Sequence, residues 1–370
     1  MRWTRTGAAP NDRSSRRRWR WCAVGVTFVA GGAIVLMAEV SGTRRGDDPF
    51  AFFRPWITVS SGDREQVDAG EVIVRTLPGK NGQLAVFGVA RLNAPSDRLV
   101  AWTHAIADLK RSPFVLAIHR FSDPPALEDL DGLILDDRDL DAIRQCQPGS
   151  CGLKLAEHEI GSLGRAVDQG GTEWQEAVQG EFRRVLLARV TLYRSQGLAG
   201  LPPYVNGGEP IYLQDTFAAV MAASPYVPRH LPDLAAQLEA YPQAQSPQLE
   251  SFFYWSKDVY NAAKPVVTVT HVNIFRSEDG AAAPAVVVAG KQIFASHYMN
   301  GALGLTMVLR GAADEAHYLV YLNRSQLDLL GGMFGFLTRS VLEGRIRRET
   351  PQILRALRDR LESGDPPDER

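Results

Sequence analysis

The sequence predicts an α+β fold, and three observations carry that expectation. Runs rich in alternating, β-branched and aromatic residues stand early, at 72–77 and 84–92, and again late, at 265–275, 285–299, 303–309 and 317–325. Such residues suit a pleated, half-buried surface, and period-two alternation marks a strand. Between the two sets, from Pro124 to about Gln248, apolar residues recur at helical spacing among Gly/Pro-rich loops. The chain then closes on "GGMFGFLTRSVLEGRIRRETPQILRALRDRLES", a long amphipathic stretch. Sequential hairpins with short turn signals between them make an antiparallel sheet, here interrupted by a helical insertion.

Taken in order, residues 1–20 are a basic tail with seven arginines and one acid, Asp12. Residues 21–38 follow without a charge, about 27 Å of helix at 1.5 Å per residue, enough for a thin bilayer core. Arginines crowd the N-terminal flank, so the positive-inside rule places that end in the cytoplasm and the body outside, on the periplasmic face. Residues 21–40 therefore read as a retained transmembrane anchor. A cleaved signal is the first alternative, with "VSG" (40–42) a fair cleavage match and "SRRRWR" (15–20) loosely like a twin-arginine signal; a buried core helix is the second. Residues 41–66 read as a linker with an aromatic patch, "PFAFFRPW" (49–56), which either lies at the membrane surface or covers a core edge.

The tail carries +6 of a whole-chain charge of −1, which leaves −7 for the rest. A mildly acidic body argues against nucleic acid, whose phosphates are bound by clustered Lys and Arg. With 45% hydrophobic residues, the body can bury a sizeable core.

"PGKNG" (78–82) reads as the turn of a first hairpin. Ser96 then caps a helix through residues 94–109, with Leu99, Trp102, Ile106 and Leu109 at helical spacing. In the insertion, Trp174, Val178, Phe182, Leu186, Val190 and Tyr193 form the clearest stripe, with shorter ones at 213–221 and 231–241. Thr350-Pro351 reads as a cap with a first-turn proline, which predicts two helices or one kinked helix at the C-terminus. "GDPPDER" (364–370) reads as a disordered tail.

"RQCQPGSCGLKL" (144–155) holds Cys146 and Cys151 around a Pro-Gly turn signal. The spacing fits neither C-x-x-C-H haem attachment nor a redox C-x-x-C. Outside the cytoplasmic membrane the pair reads as a disulfide; free thiols or a metal site, with only His158 near, remain as alternatives.

Two early strands, the helix opening "NAPSDRLVAWTHAIADL", a run of antiparallel strands and the "GGMFGFL…R…TPQILRALRDRLE" ending resemble the START-like (SRPBCC) helix-grip superfamily. The "CQPGSCGLKL" and "FYWSKDVY" elements also resemble parts of uncharacterised exported bacterial proteins. The helix-grip resemblance covers roughly residues 70–120 and 255–362, so the START-like domain is expected at 67–362 with its insertion at about 125–250. It implies a curved antiparallel sheet around the long C-terminal helix, enclosing an apolar cavity for lipids, sterols, quinones or polyketides.

The chemistry-bearing candidates lie on the late strands. Tyr254 and Trp255 belong to the aromatic cluster "FFYWSKDVY" (252–260). By alternation His271 shares a face with Asn273, and Lys291 shares a face with His297, opposite Ser296 and Tyr298. With Phe294, these residues (Tyr254, Trp255, His271, Lys291, Phe294, His297 and Tyr298) are the expected ligand-binding set, and His271, Lys291 and His297 the catalytic candidates. The bland reading is that each histidine is a satisfied structural residue. The chain contains no G-x-S-x-G, H-E-x-x-H or Walker loop, and no cofactor or resident metal is expected. The leading function is binding of an apolar small molecule or lipid at the outer face of the cytoplasmic membrane. The alternatives are a cavity enzyme using His/Lys/Tyr acid–base chemistry and an envelope scaffold that binds a protein partner through its helical insertion.

Overall fold

The computed structural model describes residues 48–367 except 80–81, 206–208, 260–263, 278–283, 312–316 and 331–334. The basic tail and the apolar segment at 21–40 lie outside the described residues; among those described, no helix is long and apolar enough to cross a membrane.

One curved antiparallel sheet of eight strands organises the body. Its strands are β1 (Ile73–Leu77), β2 (Gln83–Leu92), β3 (Val115–Arg120), β4 (Leu249–Asp258), β5 (Val266–Arg276), β6 (Pro284–Ala295), β7 (Met299–Arg310) and β8 (His317–Leu327). Their order across the sheet is β1-β2-β8-β7-β6-β5-β4-β3. Strands β4 to β8 are joined as successive hairpins, while β2 docks on β8 over ten paired positions, Gln83↔Gln326 through Leu92↔His317. β3 and β4 are additions to the strands read from the sequence; mixed polar and aromatic residues hid their alternation.

Helices cover both faces. On the first face lie the insertion helices α4 (Asp137–Arg144), α5 (Glu157–Gly170), α6 (Trp174–Gln196), α7 (Leu213–Ala222), α8 (Tyr226–His230) and α9 (Pro232–Ala240). They follow α1 (Ser61–Asp68), α2 (Asp97–His104) and α3 (Ile106–Leu109) in the chain, and α10 (Gly335–Ser363) ends it. Val178, Phe182, Leu186, Val190 and Tyr193 bury the predicted α6 stripe against Val269, Leu303, Leu305 and their neighbours. Gly197, at φ +67°, ends α6 where a Cβ would collide with the Tyr241 carbonyl. The opposite face carries α2, α3 and α10, whose Leu99, Trp102, Leu354 and Leu361 pack on Leu92, Val272, Val286 and Leu319.

Three expectations give way. The linker is ordered from Asp48 onward: Phe50, Phe52 and Phe53 are buried on the first face, Phe53 edge-on to Phe87, and Ser60 and Asp63 form a capping box on α1. The aromatic patch thus covers a core edge. α10 is one helix through Pro351 and not two, since the missing N–H frees only the carbonyl of the exposed Arg347. Gly364 and Asp365 are tied to α2 through Trp102 Nε1 and Arg98, so the tail is fixed at least that far.

Cys146 and Cys151 stand at disulfide distance, Cα atoms 4.4 Å apart, between α4 and α5. The loop they close is short, so the bond contributes about 2 kcal/mol by loop-closure entropy. Replacing both by serine is expected to lower the melting temperature by on the order of 5 °C. A melting curve of the wild type unchanged by added reductant would contradict that.

Candidate functional site

The sequence candidates do not meet in one space. His271 and Lys291 are register partners on β5 and β6, facing the insertion, and both are 0% exposed. His271 Nδ1 lies 3.1 Å from the Tyr193 hydroxyl, and its ring stacks on Phe253. Lys291 Nζ donates to the Leu238 carbonyl and sits over the rings of Tyr193 (5.0 Å) and Phe217 (4.6 Å). Burial pulls the Lys291 ammonium down to about 7, and burial beside that lysine holds His271 well below the usual imidazole value. Trp255 donates to the Asp129 carbonyl at 2.7 Å, and Phe294 packs on Phe182 under the Arg189 guanidinium. These four residues, expected to line a cavity, belong to the packed core between sheet and insertion.

His297 and Tyr298 fall in the β6–β7 turn instead. The register jumps from Thr270↔Gln292 to Val269↔Phe294, a bulge on β6 that breaks the alternation used to pair Lys291 with His297. His297 Nε2 pairs with the buried Asp139 of α4 at 2.9 Å. Tyr298, at φ +59°, accepts a hydrogen bond from the Lys264 backbone at its hydroxyl. Beside them Lys154 donates to Tyr204 Oη, Asn300 Oδ1 and Asp328 Oδ2, so all three of its N–H bonds are used. Turn, insertion and the end of β8 are thereby clamped together.

The space that remains is on the other face. α10 lies along β1 and β2, α2 lies on β6 and α3 on β3, and α2 touches α10 at one end. That end is shut by Trp102, Leu354 and Leu361 and by Arg360 donating to the Leu109 carbonyl. Along α10 the row Leu342, Ile346, Thr350, Leu354 has a spacing of four, so each member is turned about 40° from the one before it. Its first two members are half-buried and its last two buried. The N-terminal half of α10 is tethered through Arg339 to the Gln83 carbonyl.

On this face the central strands are partly uncovered. Val288 and Gly290 of β6, Gly304 and Thr306 of β7, and Tyr321 and Asn323 of β8 are all half-buried, although none is on an edge strand. Gly290 and Gly304 are cross-strand partners. Among the described residues, a Cβ at Gly304 would have only Asn323 Nδ2 at 3.5 Å and the Gly290 carbonyl within 4 Å. The side chains of Thr270, Gln292 and Thr306 have no hydrogen-bond partner among the described residues, and none of their polar atoms is sealed from solvent. Tyr254 is the one sequence candidate here; it accepts from Lys110 Nζ at 3.2 Å. Burial raises the Tyr321 hydroxyl above the usual phenol value, so it keeps its proton and remains a donor.

Sequence reasoning missed this floor because alternation says which residues share a face, not which face is left open. The usable signal was glycine inside two strands, at Gly290 and Gly304, opposite the apolar side chains of the same runs. No family model, curated protein or solved structure matches this chain.

Proposed function

We propose that the chain binds an apolar small molecule or lipid in the cleft between α10 and the uncovered half of the sheet, held at the outer face of the cytoplasmic membrane by residues 21–40. One observation carries this reading: Thr270, Gln292 and Thr306, whose side chains have no hydrogen-bond partner among the described residues, stand on the central strands β5, β6 and β7. A buried polar group without a partner costs about 1–3 kcal/mol, so these groups are satisfied by water or by a ligand. The half-buried Val288, cross-strand partner of Thr306, supplies apolar surface beside them, and binding sites combine such surface with a few polar groups. The helix-grip resemblance points to the same place.

The two alternatives have less support. A cavity enzyme needs its acid and base open to a substrate, and His271 and Lys291, though adjacent, are both sealed in the core. A scaffold needs an apolar docking patch. Among described residues 170–241 the one strongly exposed large apolar side chain is Tyr212. The groove between α5 and α6, about 910 Å³, sets Arg165, Arg183 and Arg184 among Glu173, Glu176 and Glu181.

Organic extraction of the purified protein followed by mass spectrometry is expected to release an amphiphile at near-stoichiometric amount. Gly304→Leu puts a side chain into the open space and should empty the cleft with little loss of stability. Equal, trace lipid from both proteins would overturn the proposal.

A further inference from the structure

The core takes up only part of the aromatic run at 49–56. Phe50, Phe52 and Phe53 are buried, whereas Trp56 at the end of the run is 40% exposed. Its ring is held in place: it stands edge-on to the buried Tyr226, with 6.3 Å between centroids, and the Arg229 guanidinium lies 5.9 Å from its centre. Phe52 packs against His230 at 5.2 Å, which sets the end of α8 beside residues 54–56. Arg54-Pro55-Trp56 and Pro228-Arg229-His230 thus form one surface, and all six residues are exposed. Arg54 is paired with Asp48 at 2.7 Å, while Arg229 has no acid partner among the described residues. Pro55 and Pro228 restrict the backbone on either side, so little freedom is lost when the surface docks.

This set of side chains suits the boundary layer of a phospholipid bilayer. Indole favours the headgroup level, where its apolar face and its N–H both find partners, and guanidinium groups bond to lipid phosphates. Two further observations favour a lipid surface over a protein partner. The uncharged run ends at Ala38 and the described body begins at Asp48, so this is the first surface formed after the segment read as an anchor. A contact too weak to hold alone becomes effective when a short tether raises its local concentration. The surface is also small, six residues against the roughly 20–30 a side of a stable protein interface.

Resting on the membrane part of the reading above, we infer that Trp56, flanked by Arg54 and Arg229, docks the body onto anionic phospholipid headgroups at the outer face of the membrane.

The test uses the full chain in nanodiscs of equal parts phosphatidylcholine and phosphatidylglycerol, with a trace of phosphatidylethanolamine carrying a diazirine on its headgroup. After illumination, mass spectrometry maps the labelled residues. Label at 54–57 and 228–231 is expected to exceed that on the edge strand β3 by about tenfold, although Leu116 there is 54% exposed. In discs of phosphatidylcholine alone the excess should fall about threefold, because the arginines lose their anionic partners. Trp56→Ser with Arg229→Ser should bring the surface down to the β3 level while the chain stays in the disc. Should that pair fail to fold, Arg229→Gln alone changes an exposed side chain and should cut the excess about twofold. Equal label on this surface and on β3, or label concentrated elsewhere on the body, overturns the inference and leaves the anchor and the cleft standing. A chain recovered apart from the discs refutes the membrane part of the binding reading, and this surface with it.

Discussion

Arg189→Met is expected to destabilise the protein by about 3–5 kcal/mol, the largest effect of any single substitution proposed for it. Arg189 of α6 and Glu159 of α5 form a two-pronged ion pair, Nε to Oε1 at 2.7 Å and Nη2 to Oε2 at 2.6 Å. Their side chains are only 7% and 4% exposed. Glu159 Oε2 also accepts the Ala156 N–H at 2.7 Å, which satisfies one of the free donors at the start of α5. Methionine fills much of the arginine volume, so the loss would come from leaving a carboxylate buried with one backbone donor. Replacing Glu159 by methionine as well removes that stranded charge, and the double variant should recover much of the loss. Urea unfolding of the two singles and the double closes the cycle. A cost below about 1 kcal/mol for Arg189→Met would show that water reaches the pair.

The second large effect is on pH dependence. Lys291 titrates near 7 in the folded protein, against its usual 10.5 in the unfolded chain, because burial disfavours the ammonium; Glu239 offsets this only in part. Between those values the unfolded chain holds the extra proton, so stability rises as pH climbs from about 7 to about 10.5. Below about 7 both states are charged and the penalty is fully present. Each pKa unit corresponds to about 1.4 kcal/mol, which makes this a change of several kcal/mol at most. Lys291→Met should remove the slope and stabilise the protein at pH 7, less about 1 kcal/mol for the Leu238 carbonyl left without its donor. His271 acts in a lower window: its folded value is depressed, so further stability is lost as pH falls below about 6.5. Unfolding free energies of wild type and variant from pH 6 to 10 decide it. Parallel profiles would mean that Lys291 is hydrated in the folded state.

The gross architecture was legible before any coordinates. β2, β7 and β8 each show a largely apolar face, β5 and β6 show one broken by His271, Asn273 and Lys291, and the α6 stripe from Val178 to Tyr193 repeats at helical spacing, because burial on one side imposes those periods. The site was not legible. His271 and Lys291 stand out in a sequence because they are polar among valines, yet a polar residue in a strand can equally be paired inside a core, as Tyr193 and Leu238 pair these two. Thr270, Gln292, Thr306 and Asn323 attract less notice, being ordinary polar strand residues in composition.

Local chemistry settled what depends on neighbours in the chain: strand or helix, turn positions, the stripe of α6, and the proximity of Cys146 to Cys151 across Pro148 and Gly149. Those follow from backbone sterics and from the period of burial, which a sequence displays directly. The tertiary structure alone decided which sheet face is sealed by the insertion and which is left open under α10. It also decided that a bulge at β6 sends His297 to Asp139, and that Pro351 does not break α10. Each of these turns on contacts between segments far apart in the chain: α6 lies on β5 and β6 through Tyr193 on His271 and Phe182 on Phe294, and α10 lies on β1 and β2. Their free energies are fixed by packing, and no local period records them.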